Sequence, residues 1–80
     1  DTFDDAIANL SDAQMKGANL TKANLSRVPM DRIDLMQANL SQANLAAASL
    51  GNANLSSAQL VGANLQAAIL VDASLTGANL

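Results

Sequence analysis

The side chains that could take part in chemistry are few and scattered. Ser11, Ser26, Ser41, Ser49, Ser56, Ser57 and Ser74 offer hydroxyl nucleophiles, and the only charged groups beside them are Asp, Lys and Arg. A serine becomes a nucleophile when a base of suitable pKa lies within hydrogen-bond reach, and acid–base catalysis needs a group that titrates near neutrality. The 80 residues contain no His, Cys, Glu or Tyr. No catalytic residue is therefore assigned, and the chain is not expected to be an enzyme. Neither a glycine-rich phosphate loop nor a metal-ligand spacing is present, so no cofactor and no metal is expected. The triplets beginning at Asn9, Asn19, Asn24, Asn39 and Asn54 match the N-glycosylation pattern, but a repeat containing Asn-Leu-Ser produces them in any case.

Charge and bulk narrow the partners. The net charge is −3, with four basic residues against seven acidic ones. Asp12, Lys16, Lys22, Arg27, Asp31, Arg32 and Asp34 crowd into the first half and read as a mixed, solvated surface. Nothing between Asp34 and Asp72 is charged. So few cations cannot track a phosphate backbone, and a single aromatic residue, Phe3, makes no platform for stacking bases, so direct nucleic-acid binding is not expected. No apolar run reaches the roughly 18 residues that would cross a bilayer. The acidic start, Asp1 to Asp5, lacks the basic-then-apolar order of a signal peptide. The expectation is a soluble segment whose compartment the sequence leaves open, cytoplasmic, or periplasmic or thylakoid-lumenal if a leader was removed. Without cysteine, neither disulfides nor the redox state of a compartment leave a mark.

Half the residues are hydrophobic, yet they are mostly Ala and Leu, and Phe3 is the one aromatic residue. A conventional core of this size would need more bulk. Regularity supplies what bulk does not. Every fifth position from Leu10 is apolar: Met15, Leu20, Leu25, Met30, Leu35, Leu40, Leu45 and onward to Leu80. Two residues earlier stands a small apolar residue, Ala8 through Ala78, replaced by Val28 and Ile33. Between them lies a polar position, usually Asn, from which Pro29 and Ile69 depart. The other two positions vary freely. The unit is Ala-Asn-Leu-x-x.

Neither regular element accommodates this period. Five residues of α-helix advance about 500°, so the leucines would spiral over every face. In a flat strand an odd period sends successive leucines to opposite sides of the sheet. Both conflicts vanish if the chain bends once per unit, pointing each Leu and the small residue before it to a common axis, which makes a solenoid. Asn suits the bend, because its amide bonds nearby backbone and the residue tolerates left-handed conformations; Gly17, Gly51, Gly62 and Gly77 relax the same demand.

These units, from about Ala6 to Leu80, resemble the pentapeptide-repeat family. The resemblance implies an all-β fold, a right-handed quadrilateral parallel β-helix with four units to a coil, hence a single domain over residues 1–80 with about four coils and a height of about 20 Å. Leu25, Leu35, Leu45, Leu55 and Leu65 are expected in its core. On this plan residues 20 apart stack. One face carries the centres Leu10, Met30, Leu50 and Leu70, and both Pro29 and Ile69 fall on it. Pro29 removes a donor from the ladder between coils, and a local distortion is expected there. Ile69 and Val71, with Val61 one face earlier, would make an apolar area where the pattern places polar groups, a candidate protein contact. Scattered exposed apolar residues are also ordinary, and β-branched residues suit a strand-like side.

At the start, residues 1–5 break the pattern, with Asp5 at a centre position, and read as an N-terminal cap in which Phe3 folds over the first coil. At Leu80 the pattern stops in mid-unit, so the chain is expected either to continue or to meet its equivalent end-to-end through the C-terminal coil. The leading functional expectation is a non-enzymatic interaction or scaffold module with a protein partner. An alternative is the DNA mimicry by which some members of the family occupy a topoisomerase such as gyrase, which requires acidic faces along an extended rod. The uncharged stretch from Leu35 to Val71 withholds that charge. A structural spacer or consensus-like repeat is the remaining alternative.

Overall fold

A computed structural model describes residues 8–80. The cap expected at residues 1–5, with Phe3 and Asp5, lies outside the described residues.

Each five-residue unit closes one turn. The N–H two residues before a Leu or Met bonds to the carbonyl of the preceding centre, as from Ala38 to Leu35 and from Ala48 to Leu45, both at 3.0 Å. The residue two after each centre has a positive φ throughout, between 58° and 75°, from Asp12 to Gly77. A single left-handed residue at the third place of a four-residue turn is the signature of type II. The left-handed burden therefore does not fall on the repeat's Asn. It falls on Asp12, Lys22, Arg27, Arg32, Gln37, Gln42, Ala47, Asn52, Ser57, Ala67 and Asp72, and on Gly17, Gly62 and Gly77. Gly51, one place earlier in its turn, has no positive φ.

Asn serves the bend through its amide. The Oδ1 atoms of Asn39, Asn44, Asn54 and Asn64 accept the backbone N–H two residues on, at 3.0–3.1 Å. Asp34 does the same for Met36 at 3.1 Å. A short side chain with an acceptor at this reach fixes the turn that follows.

Units then stack in parallel. Bridges join residues 20 apart, among them Gln14 to Asp34, Asn24 to Asn44, Asp34 to Asn54 and Asn44 to Asn64. A register of 20 with a unit of five brings the chain back on itself every four units. From Leu10 to Leu60 the N–H of each centre reaches the next coil, as from Leu45 to the Asn64 carbonyl at 2.8 Å; so does the N–H of the left-handed residue from Asp12 to Ser57, as from Ala47 to the Gln66 carbonyl at 2.8 Å. The polar position donates the other way, as from Asn44 to the Ala23 carbonyl at 2.9 Å.

The centres fall into four columns, which line the interior except at Leu80, 70% exposed at the end of its column. Face 1 carries Leu10, Met30, Leu50 and Leu70; face 2 carries Met15, Leu35, Leu55 and Leu75; face 3 carries Leu20, Leu40, Leu60 and Leu80; face 4 carries Leu25, Leu45 and Leu65. Leu25, Leu35, Leu45 and Leu55 are buried, with Ile33 and Met30, in one continuous core. Leu65 is only partly buried and packs against that core from the final coil, because described chain covers it on one side alone.

Pro29 disturbs little. Its carbonyl still accepts the Leu10 N–H at 2.8 Å and it still bridges Ser49. The contact from Ser49 N–H to the Val28 carbonyl is 3.2 Å, longer than the corresponding 2.9 Å from Asn54 to Ile33. The lost donor faces the first coil, near one edge of the stack, where its absence removes one bond and leaves the rest of the ladder intact.

Candidate functional site

The candidate contact residues follow lapses in the Asn pattern. Where Asn gives way to Gln59 and Ile69, no side-chain acceptor reaches the N–H of the next turn, at Val61 and Val71. Val61, Ile69 and Val71 are 49%, 51% and 65% exposed. Ile69 and Val71 flank the inward Leu70 and sit together at the end of face 1. Val61 does not join them. Ten residues are half of the 20-residue register, so Val61 occupies the corner between faces 3 and 4 while Val71 occupies the corner between faces 1 and 2. The apolar area expected from all three reduces to Ile69 and Val71.

Charges that alternate along the chain separate in space. Asp12, Asp31 and Asp72 share the corner between faces 1 and 2, and Asp34 stands on face 2 beside it. Arg32 joins this corner and is held there by Asp12, one coil below, through a two-pronged contact of Nε to Oδ1 at 2.7 Å and Nη2 to Oδ2 at 3.0 Å. Hydrogen bonding to Arg32, more than the Coulombic attraction that accompanies it, lowers the Asp12 pKa from its ordinary 3.8. The same bond raises that of Arg32, with Asp31 adding to the field. Both side chains are well exposed, so the pair contributes little to stability. Lys16, Lys22 and Arg27 occupy the three other corners.

Asp31 has a role the sequence reading missed. Its Oδ1 accepts the backbone N–H of Gly51, one coil above, at 3.1 Å. Elsewhere, as at Asn44 and Asn54, that N–H donates to the Asn two residues earlier, but here Ser49 replaces Asn. Glycine leaves the carboxylate room, since a Cβ at residue 51 would lie 3.2 Å from the same oxygen and would require the Asp31 side chain to shift by a few tenths of an ångström. The signal lay in three departures at related positions: Ser49 for Asn, Gly51 two residues on, and Asp31 one register below.

Among the described residues no cluster of His, Cys, Asp or Glu could hold a metal ion, and no helix is long and apolar enough to cross a membrane.

Comparison with known proteins follows these features. A family model described as pentapeptide repeats matches residues 8–37, 33–70 and 58–80, in eight copies. No curated protein matches the chain. Among solved structures, the pentapeptide-repeat protein Rfr23 from the cyanobacterium Cyanothece 51142 is 31% identical, with a TM-score of 0.76 over 89% of this chain and 52% of its own. The pentapeptide-repeat protein alr5209 from Nostoc PCC 7120 is 32% identical, with a TM-score of 0.57 over 96% and 68%. HetL from Nostoc sp. strain PCC 7120, a pentapeptide-repeat protein involved in heterocyst differentiation regulation, is also 32% identical, with a TM-score of 0.51 over 91% and 47%. The chain thus spans about half the length of Rfr23 and of HetL. The five-residue unit, the 20-residue register and these matches together place the chain in the pentapeptide-repeat family.

Proposed function

We propose that this chain is a non-enzymatic protein-interaction module, a rigid scaffold that presents flat solenoid faces to a protein partner. The carrying observation is the pair Ile69 and Val71, 51% and 65% exposed on a backbone fixed by ladder bonds on the side toward the preceding coil. Exposed apolar side chains on a preorganised surface lose little conformational entropy on docking. HetL, a relative of similar identity, is involved in regulation, which accords with action by contact. The fold that goes with this reading is the right-handed quadrilateral β-helix of about four coils, with strands stacked at the usual spacing.

The test is capture of cellular partners with the chain as bait, compared with the doubly substituted Ile69→Lys, Val71→Lys chain. Loss of a specific partner supports the reading, and an unchanged set of partners overturns it.

A further inference from the structure

Ile69 and Val71 border a field of definite sign. Asp72 follows Val71 at the corner between faces 1 and 2 and is exposed. The column of Val71 runs along this corner through Gly51 to Asp31, and Asp34 stands on face 2 beside it. Arg32 is the one basic side chain on the corner, and Asp12 already holds it with contacts at 2.7 and 3.0 Å. The chain has four basic residues in all, and the 20-residue register sends Lys16, Lys22 and Arg27 to the three other corners. Residues 1–7 contain no Lys, Arg or His, so no further basic side chain offsets these acids.

Spacing along the corner sets what can lie on it. From Val71 to Asp31 there are two steps between coils, about 10 Å at the usual strand separation. Two residues of extended chain cover about 7 Å of that distance and turn both side chains to one side. The stem of a Lys or Arg covers the rest. Gly51 lies between Val71 and Asp31 and puts no side chain in the path, while Asp31 Oδ1 takes the Gly51 N–H at 3.1 Å. A carboxylate so engaged keeps further acceptor sites.

We propose that the corner between faces 1 and 2 docks an extended segment of a partner protein in which an apolar residue is followed two places on by Lys or Arg. The apolar side chain packs on Ile69 and Val71, and the cation reaches Asp31 within a field to which Asp34 and Asp72 add. Lys and Arg suit the place because their stems lie on apolar surface while the charged head stays in water. Opposite charge across the contact steers such a segment in and rejects an acidic one. The inference rests on the reading of Ile69 and Val71 as a protein contact and adds the chemistry of the partner.

Fluorescence anisotropy of the full chain against labelled peptides tests it. The probe repeats Leu-Ser-Lys-Ser, and the comparators repeat Leu-Ser-Glu-Ser and Ser-Ser-Lys-Ser. Saturable binding of the probe alone is expected, weakening as salt rises. Asp72→Asn should weaken it by about threefold, an ordinary size for an exposed charge pair. Asn52, one coil below with a φ of 58°, shows that the column accepts Asn. Gln42→Lys changes the net charge equally, half a circuit away in a column that Lys22 already occupies, and should leave binding unchanged. Joint Ile69→Ser and Val71→Ser should weaken it by about tenfold through lost apolar contact. Thermal melts establish that each variant folds. Absence of saturable binding, equal binding of the Glu comparator, or equal effects of Asp72→Asn and Gln42→Lys overturns the proposal. Should partner capture depend on Ile69 and Val71 while the Lys and Glu peptides bind alike, the contact stands and its proposed chemistry falls.

Discussion

Asp31 and Gly51, 20 residues apart in sequence, are joined by a 3.1 Å hydrogen bond from the glycine N–H to the carboxylate Oδ1. The bond repairs a turn that Ser49 leaves without its usual acceptor, using a side chain from the coil below. A partly buried N–H that loses its acceptor costs about 1 kcal/mol or somewhat more. Asp31→Ala should therefore destabilise the chain by about that amount in urea unfolding. In a Ser49→Asn background, where the local amide resumes its place, the cost should largely vanish. An equal cost in both backgrounds would show that Asp31 stabilises through something other than Gly51.

Depth in the stack should set the price of a cavity. Leu45 is fully buried between coils, and truncation of such a leucine costs about 2 to 5 kcal/mol. Leu65 occupies the same column but is covered on one side only, so Leu65→Ala should cost distinctly less. Chemical denaturation of the two variants measures both. A Leu45→Ala loss below about 1 kcal/mol, against that range, would count against an inward column.

Ala47 adopts a φ of 59° with no side-chain atom beyond Cβ to offset the strain. Left-handed backbone costs an ordinary residue roughly 1–2 kcal/mol, and glycine escapes that cost while adding unfolded-state entropy. Ala47→Gly should stabilise by up to about 1 kcal/mol, whereas Ala48→Gly, one residue along and buried, should destabilise. Melting temperatures that move in the same direction would contradict the turn assignment.

The Asp12–Arg32 pair predicts a pH effect with a definite sign. The folded Asp12 pKa lies below its ordinary 3.8, so the stabilisation is present above that value and is lost as the pH falls through the lower folded pKa. Following the Asp12 carboxyl by NMR should show titration below 3.8 in the parent chain and a return upward in Arg32→Gln. Thermal stabilities of the two chains should converge at the acid end and under high salt, because both partners are exposed.

Much of the fold was legible because a five-residue period rejects both helix and flat strand. The inward columns of Leu and small residues, the outward polar position and the bend per unit all follow from counting. The position of the bend's strain was misjudged. Asn was the residue whose chemistry suited a left-handed backbone, yet that conformation fell to residues as varied as Lys22, Gln42 and Ala47. Tertiary structure overrode local preference, for the ladder between coils fixes the backbone on both sides of each bend, and the strain falls where the turn requires it whatever residue stands there.

By itself the sequence determined the unit, the residues that face inward and a composition without His, Cys, Glu or Tyr. These follow from composition and from a period that one chain carries alone. Only the tertiary structure decided which residues meet across coils: Asp31 beneath Gly51, Asp12 beneath Arg32, and Val61 half a circuit from Val71. Each of these depends on the number of units per circuit, which is set by the angle of each turn and by bonds between residues 20 apart. A local pattern of five residues contains neither quantity.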